Sequence, residues 1–509
     1  ERGNTMKNIN VPVGISNFEK IRQDGYYYVD KTGLIKDMLK NKIPEVTLIT
    51  RPRRFGKTLA MSMLASFFDI RRDSKKLFQG LNISKEQQLC NDWMNQYPTL
   101  FLSFKDVDGT IFENALGLLQ FTIAELCKKH TYLIESDVVD QDDKETFRKL
   151  KSMGSNLPEL QGSIIMLMNM MKAYYNKPVI LLIDEYDVPI AKASSNGYYK
   201  EMLEVMKAML STALKDNEAL KFAVVTGCLK IAKESVFTGT NNFVLDTITD
   251  ARLDEYFGFT QKDVDKILSD AGVTEYAGQV KEWYDGYRAA AGDYLYNPRS
   301  VVCALRDNQL ANYWTSSGTY DSIFNYIKGN IADVRNDLVL MVAGEHVPAK
   351  MQQYAATANA LHTKDQIYSA MVVYGLLTYE NGKVFIPNKE LMDKFDELLL
   401  SNQQLGYVYR LARESQRMLQ ATIHGDTDTM EEILEYVHDT EVPIYSYNSE
   451  VELSAIVNLV YLSARDEYRV EREDKAGKGF VDFIFYPKRN NIPGIILELK
   501  IDHTPQKAI

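Results

Sequence analysis

Val46-Thr-Leu-Ile-Thr50, Arg51-Pro-Arg-Arg-Phe-Gly56 and Lys57-Thr58-Leu-Ala-Met-Ser-Met-Leu-Ala-Ser-Phe-Phe68 follow one another without a break, and their reading decides the fold. The first run is β-rich and apolar. The second is a basic loop with one glycine, and the third lacks Gly and Pro and reads as a helix. Strand, loop and helix in this order open a parallel α/β sheet. They also supply what a phosphate cradle needs: backbone N–H groups at a helix N-terminus and one mobile ammonium. Gly56 permits close backbone approach, Lys57 bridges the β- and γ-phosphates of a nucleotide, and the Thr58 hydroxyl ligates Mg²⁺. The usual pattern is G-x-x-x-x-G-K-[ST], and Arg51 stands where its first glycine would be.

A complementary half-site lies downstream. Ile180-Leu-Leu-Ile-Asp184-Glu185 is an apolar strand that ends in two carboxylates. Asp184 is expected to hold Mg²⁺ through water or through Thr58, and Glu185 to polarise the attacking water. Thr99-Leu-Phe-Leu-Ser-Phe104 and Leu220-Lys-Phe-Ala-Val-Val-Thr226 read as further strands. Val179–Ile183 has the unbroken apolar character of a strand covered on both faces. Amphipathic helices are expected around 111–129 and 198–216. Arg53, Arg54, Phe55, Gly56, Lys57, Thr58, Asp184 and Thr226 form the expected ATP-contacting set. Within it, Thr226 is either a sensor of the γ-phosphate and water or a strand-capping threonine. Arg53 and Arg54 either neutralise phosphate charge or face a partner. Asp187 reads as a satisfied loop carboxylate.

The bulk properties are compatible with this reading. A chain of 509 residues accommodates three or four domains at about 100–200 residues each. Hydrophobic content of 45% and charged content of 25% are those of an ordinary globular protein. The net charge of −10 excludes a uniformly basic nucleic-acid coat, though not a local basic groove. Four dispersed cysteines (Cys90, Cys127, Cys228, Cys303) without a CxxC pair exclude a disulfide framework or zinc knuckle. The six histidines form no metal-ligating cluster. The polar Glu1–Thr5 lacks a signal-peptide core and Met6 is a candidate natural start. No run approaches the ~18 apolar residues of a membrane span. A cytoplasmic protein is expected.

Beyond residue 245 the texture changes. Trp283-Tyr-Asp-Gly-Tyr287-Arg288 and Tyr296-Asn-Pro-Arg-Ser300 lie in a helical region, and Leu376–Ile386 reads as a hairpin turning at Asn381-Gly382. Taken together, Val11-Pro-Val-Gly-Ile-Ser16, Tyr28-Val-Asp-Lys-Thr32, Arg51–Thr58, Leu182-Ile-Asp-Glu-Tyr-Asp187, Thr226-Gly227, Trp283–Tyr287 and Ile386-Pro-Asn-Lys-Glu390 resemble the bacterial AAA-ATPase-like family fused to a PD-(D/E)XK nuclease domain. In that family the Arg-for-Gly change is ordinary. The resemblance implies an α/β P-loop core over 8–245, a helical lid over 246–325 and a winged-helix-like and helical module over 326–445. A restriction-endonuclease-like α/β domain follows over 446–509. By its position in such a fold, Tyr28–Thr32 is a candidate lining for the adenine pocket.

In the last of these regions Glu452–Leu462 reads as a helix and Arg465–Lys478 as a charged, solvated connector. Phe480–Tyr486 and Gly494–Lys500 then form a hairpin. Strand periodicity puts Glu498 and Lys500 on one face, with Asp482 alongside. Phosphodiester hydrolysis needs two carboxylates on Mg²⁺, here Asp482 and Glu498, and an ammonium to orient water, here Lys500. Domains of this class continue beyond the helix starting near Ile509, so this one is expected to be incomplete. Two readings follow. In the first, ATP loads or licenses a metal-dependent nuclease on DNA, with Trp283, Tyr284 and Tyr287 stacking on bases or packing in the core. In the second, ATP drives a switch that exposes a partner surface, and the last domain only binds. Homo-oligomerisation suits either.

Overall fold

Continuous apolar strands must bury both faces, so alternate residues have to enter different cores. In the computed structural model they do. Leu48, Leu181, Ile183, Ala223 and Val225 enter one core, while Ile49, Ile180, Leu182, Phe222 and Val224 enter the other. The residues described are 9–40, 43–229, 243–248, 250, 252–290, 292–314, 334–342, 344–351, 363–401, 407–439, 450–462, 464–476, 479–489 and 492–499. They belong to two compact units, 1–314 with 351–378, and 315–350 with 379–509.

The first unit is built on five parallel strands: β1 (Val46–Thr50), β2 (Thr99–Ser103), β3 (Val179–Asp184), β4 (Leu220–Gly227) and β5 (Phe243–Asp246), in the order β2-β3-β4-β1-β5. Helices Phe112–Lys129, Ser163–Tyr175 and Tyr199–Leu214 cover one face through Leu119, Leu167 and Met206. Helices Gly33–Leu39 and Lys57–Phe68 cover the other through Leu34 and Leu64. Because all five strands are parallel, their carboxyl ends share one edge, where α/β sheets present their ligand-binding loops. Backbone bonds tie these ends together: Arg51 N–H to Gly227 O at 3.2 Å, Tyr186 N–H to Thr226 O at 3.1 Å, and Phe104 N–H to Asp184 O at 3.0 Å.

Residues 254–307 form a smaller packed group around Phe259, Ile267, Tyr284 and Tyr296, with the short pair β6 (Tyr287–Arg288) and β7 (Tyr294–Leu295). Tyr284 and Tyr287 are core residues here. The Tyr284 hydroxyl donates to Ala311 O at 2.9 Å and that of Tyr287 to Gly375 O at 3.2 Å. Base stacking by these two rings is therefore set aside, because their apolar faces are already covered.

In the second unit β8 (Val347–Pro348), β9 (Thr378–Glu380) and β10 (Lys383–Phe385) form a sheet ordered β8-β10-β9. Asn381 (φ +49°) and Gly382 (φ +82°) make its tight turn with the left-handed backbone that Asn-Gly hairpins require. Helix Glu450–Val460 leads to an antiparallel sheet of β11 (Tyr468–Ala476), β12 (Gly479–Pro487) and β13 (Ile495–Leu497), in that order. Strand β11 corrects the reading of this stretch as a solvated connector. Its charges flank a backbone paired with β12 along most of its length, and Arg472 pairs with Glu345 at 2.5 Å while lying over the Phe483 ring. Charged side chains on an edge strand discourage pairing with other chains. No helix among the described residues is long and apolar enough to cross a membrane.

His130, next to the helix Phe112–Lys129, is 1% exposed, and its Nδ1 lies 3.2 Å from the Tyr132 hydroxyl. Burial, helped by Arg71 and Lys129, pushes its pKa down to about 3. Since an unfolded histidine titrates near ~6.5, protons favour the unfolded chain. The stability this residue confers is present above that value and drains as pH falls towards 3. Denaturation midpoints measured between about pH 6.5 and 5 should fall with a slope of up to ~1.4 kcal/mol per pH unit, and His130→Gln should flatten that slope.

Candidate functional site

The loop between β1 and the helix Lys57–Phe68 makes its turn through two left-handed residues, Arg54 (φ +68°) and Gly56 (φ +85°). A Cβ placed on Gly56 would meet nothing within 4 Å, so the glycine leaves open space at a helix N-terminus that no side chain caps. This is the cradle a phosphate needs. Lys57 is 6% exposed, and its ammonium donates to the carbonyls of Arg51 (2.9 Å) and Pro52 (2.8 Å) and lies 3.4 Å from Cys228 Sγ. Thr58 sits half-buried on the first helical turn.

Phe55 contributes backbone to the loop, whereas its ring is fully buried. The ring packs edge-on against Tyr287 at 4.9 Å, and its carbonyl accepts the Gly258 N–H at 3.1 Å. Arg53 stacks over Tyr374 at 5.6 Å. Arg51, standing in the glycine position, points away from the cradle into the protein and pairs with Asp246 at the end of β5 at 2.5 Å. Neither Asp246 nor β5 had a sequence signal. Its four residues are too short for periodicity, and its partner arginine had been read as a mere departure from pattern.

On β3, Asp184 is fully buried. Its Oδ1 accepts the Thr226 hydroxyl at 2.6 Å, and its Oδ2 has no partner among the described residues. An orphaned buried carboxylate oxygen is costly unless something else binds it. Glu185 follows with a positive φ of 53°, a strained backbone of the kind found at functional positions. Burial pushes its carboxyl up and the charge of Asp184 adds to this, while Lys57 and Arg53 oppose it. Glu185 therefore feels Asp184, Lys57 and Arg53 at the carboxyl edge of the sheet. Asp187 is satisfied by the N–H groups of Cys228 (3.0 Å) and Leu229 (2.8 Å). The close turn explains Gly227, since a Cβ there would fall 2.5 Å from Asp187 Oδ1.

The Asp184 oxygen without a partner among the described residues and the Thr58 hydroxyl are hard oxygen donors of the kind Mg²⁺ takes. Among the described residues no three His, Cys, Asp or Glu side chains cluster for a metal, so phosphate and water would complete the coordination. In the segment Tyr28–Thr32 three residues have partners within the protein. Asp30 accepts the Asn82 N–H at 2.6 Å, Lys31 pairs with Asp263 at 2.6 Å, and the Tyr28 hydroxyl meets Met63 Sδ at 3.3 Å.

Residues 12–237 match the model of a family described as AAA-ATPase-like, predicted AAA-ATPase. That region contains the loop, Asp184, Glu185 and Thr226. A curated relative from Azotobacter chroococcum mcd 1, described as an uncharacterized protein in the vnfD 5′ region, is 29% identical over 317 residues, covering 62% of this chain. The chain spans about half, 55%, of that relative's length. Among solved structures, a Walker-type ATPase of Pyrococcus abyssi aligns over 74% of this chain and 97% of its own, with a TM-score of 0.38 and 14% identity.

In the second unit, the pairing of Phe483 with Leu497 places Asp482 opposite Glu498 on neighbouring strands, and Asp482 Oδ2 accepts the Leu499 N–H at 2.6 Å. Lys500 lies outside the described residues.

Among the described residues Asp184 accepts from Thr226 alone, so Thr226→Val should leave both of its oxygens without a partner there. A loss of about 1–3 kcal/mol is expected in urea denaturation of the full chain, with Thr226→Ser close to wild type.

Proposed function

We propose that this protein binds and hydrolyses ATP with Mg²⁺ and that nucleotide state governs a Mg²⁺-dependent nuclease-like domain acting on DNA. The observation that carries the ATP half is the Asp184 oxygen without a partner among the described residues, next to Glu185, whose carboxyl feels the charge of Lys57 at the phosphate loop. The match of residues 12–237 to a predicted AAA-ATPase family supports it.

In this reading the N–H groups around Gly56 and the first turn of helix Lys57–Phe68 bind phosphate oxygens, and Lys57 leaves its loop carbonyls for the γ-phosphate. Thr58 and Asp184 hold Mg²⁺, which when bound neutralises charge on the β- and γ-phosphates. Thr226 fixes the Asp184 carboxylate, and Glu185 accepts a hydrogen bond from the attacking water. Because burial raises the Glu185 carboxyl, its basic form is lost at a higher pH than for an ordinary glutamate, and hydrolysis weakens as pH falls through that range.

For the C-terminal half, the support is the antiparallel order β11-β12-β13 behind a helix, with Asp482 and Glu498 adjacent. Asp482 and Glu498 would hold Mg²⁺ and Lys500 would orient water. A second reading, an ATP-dependent switch whose last domain only binds, is favoured by the burial of Phe55 against Tyr287 and Gly258. That contact ties the phosphate loop directly to residues 254–307.

The test combines ATP binding, ATP turnover and cleavage of single- and double-stranded DNA and RNA with Mg²⁺ or Mn²⁺. Lys57→Ala should abolish ATP binding, and Glu185→Gln should retain binding but lower turnover about 100-fold or more. Cleavage lost in Glu498→Ala/Lys500→Ala and altered in Lys57→Ala would establish the coupled enzyme. ATP turnover without cleavage of any substrate would select the switch, and wild-type protein that fails to bind ATP would overturn both.

A further inference from the structure

A glycine opens most phosphate loops because the chain there must bend tightly; a side chain as large as arginine has to go somewhere. That of Arg51 enters the protein, with 0% of it exposed. One terminal nitrogen of its guanidinium donates to two carbonyls, Thr50 O and Asp246 O, each at 2.9 Å, and the other donates to Asp246 Oδ1 at 2.5 Å. The group also lies over the Phe257 ring at 5.2 Å. Asp246 is 1% exposed, and its second oxygen faces Arg252 at 3.4 Å. A planar fork serves the carboxylate and the two carbonyls from two nitrogens held in fixed directions, a geometry that the single nitrogen of an ammonium does not reproduce.

The backbone of the same residue faces the cradle. Arg51 N–H donates to Gly227 O at 3.2 Å, and Arg51 O and Pro52 O accept the Lys57 ammonium. Arg51 is thus clamped on one side to the end of β5 and on the other orients the phosphate-binding lysine. Neither Asp246 nor the Arg51 guanidinium contacts Asp184 or Glu185. We infer that Arg51 and Asp246 are positioning residues for nucleotide binding: their buried ion pair fixes the Arg51–Pro52 backbone that keeps Lys57 at the cradle until nucleotide takes it over, so that the pair sets affinity for the nucleotide and leaves the chemical step untouched. This rests on the ATP-binding reading above.

Arg51→Lys keeps the charge but loses the fork. Arg51→Met/Asp246→Leu replaces the ion pair with apolar groups, a change that buried pairs often tolerate without loss of stability. Both variants are compared with wild type in two measurements on the full chain: the KM and kcat for ATP, and amide hydrogen exchange across residues 51–57 with β3 as internal reference. Expected are a tenfold or greater rise in KM with kcat within threefold, and tenfold faster exchange confined to the loop. A KM in Arg51→Lys raised as far as in the double variant marks the fork, rather than the charge, as the positioning element. The inference is overturned by unchanged KM and unchanged exchange in the folded variants, by kcat falling in step with kcat/KM, or by exchange rising equally in β3. If wild type does not bind ATP, the functional reading fails separately, and loop exchange alone then decides whether the pair positions the loop.

Discussion

Everything at the candidate site depends on where β1 lies in the sheet. Between β4 and β5, its carboxyl end has a neighbour on each side, and both neighbours become parts of the site. On the β4 side, Gly227 accepts the first loop N–H and Thr226 reaches across to the carboxylate of β3. On the β5 side, Asp246 receives the Arg51 guanidinium. Parallel pairing brings all of these ends to one edge, and buried backbone leaves them little freedom to move apart.

Buried polar groups at that edge are handled in two ways. Asp187 is matched by N–H groups and Asp246 by the opposite charge of Arg51, which offsets their desolvation. Asp184 keeps one oxygen unmatched, and Glu185 is held close to it in a strained backbone conformation. Among the described residues at this edge, Asp187 and Asp246 accept from their neighbours, whereas one Asp184 oxygen has no partner and lies next to Glu185, whose carboxyl feels the Lys57 charge. That contrast, more than any single distance, separates scaffold from chemistry here.

Much of the core was legible from residues. Val46–Thr50, Val179–Ile183 and Leu220–Thr226 became strands almost to the residue, because a strand buried on both faces must be apolar throughout. The Asn381-Gly382 turn was equally plain, since few other residues accept its backbone angles. Strand β11 was missed because its charges mimic a solvated connector, although an edge strand tolerates them well. Phe55 was grouped with the ligand contacts by adjacency in the chain, whereas its ring is anchored to Tyr287, more than two hundred positions away.

The sequence by itself determined the local chemistry: a glycine with freedom to turn left-handed, a lysine and threonine at a helix start, and two carboxylates closing an apolar strand. Those properties reside in a few consecutive residues, so they can be read before anything folds. Only the tertiary structure decided that Arg51 belongs to β5 rather than to the cradle, that Thr226 serves Asp184, and that Tyr284 and Tyr287 are core. Each of these is a pairing between residues far apart in the chain. Burial and hydrogen-bond partners emerge only when the sheet order has been chosen.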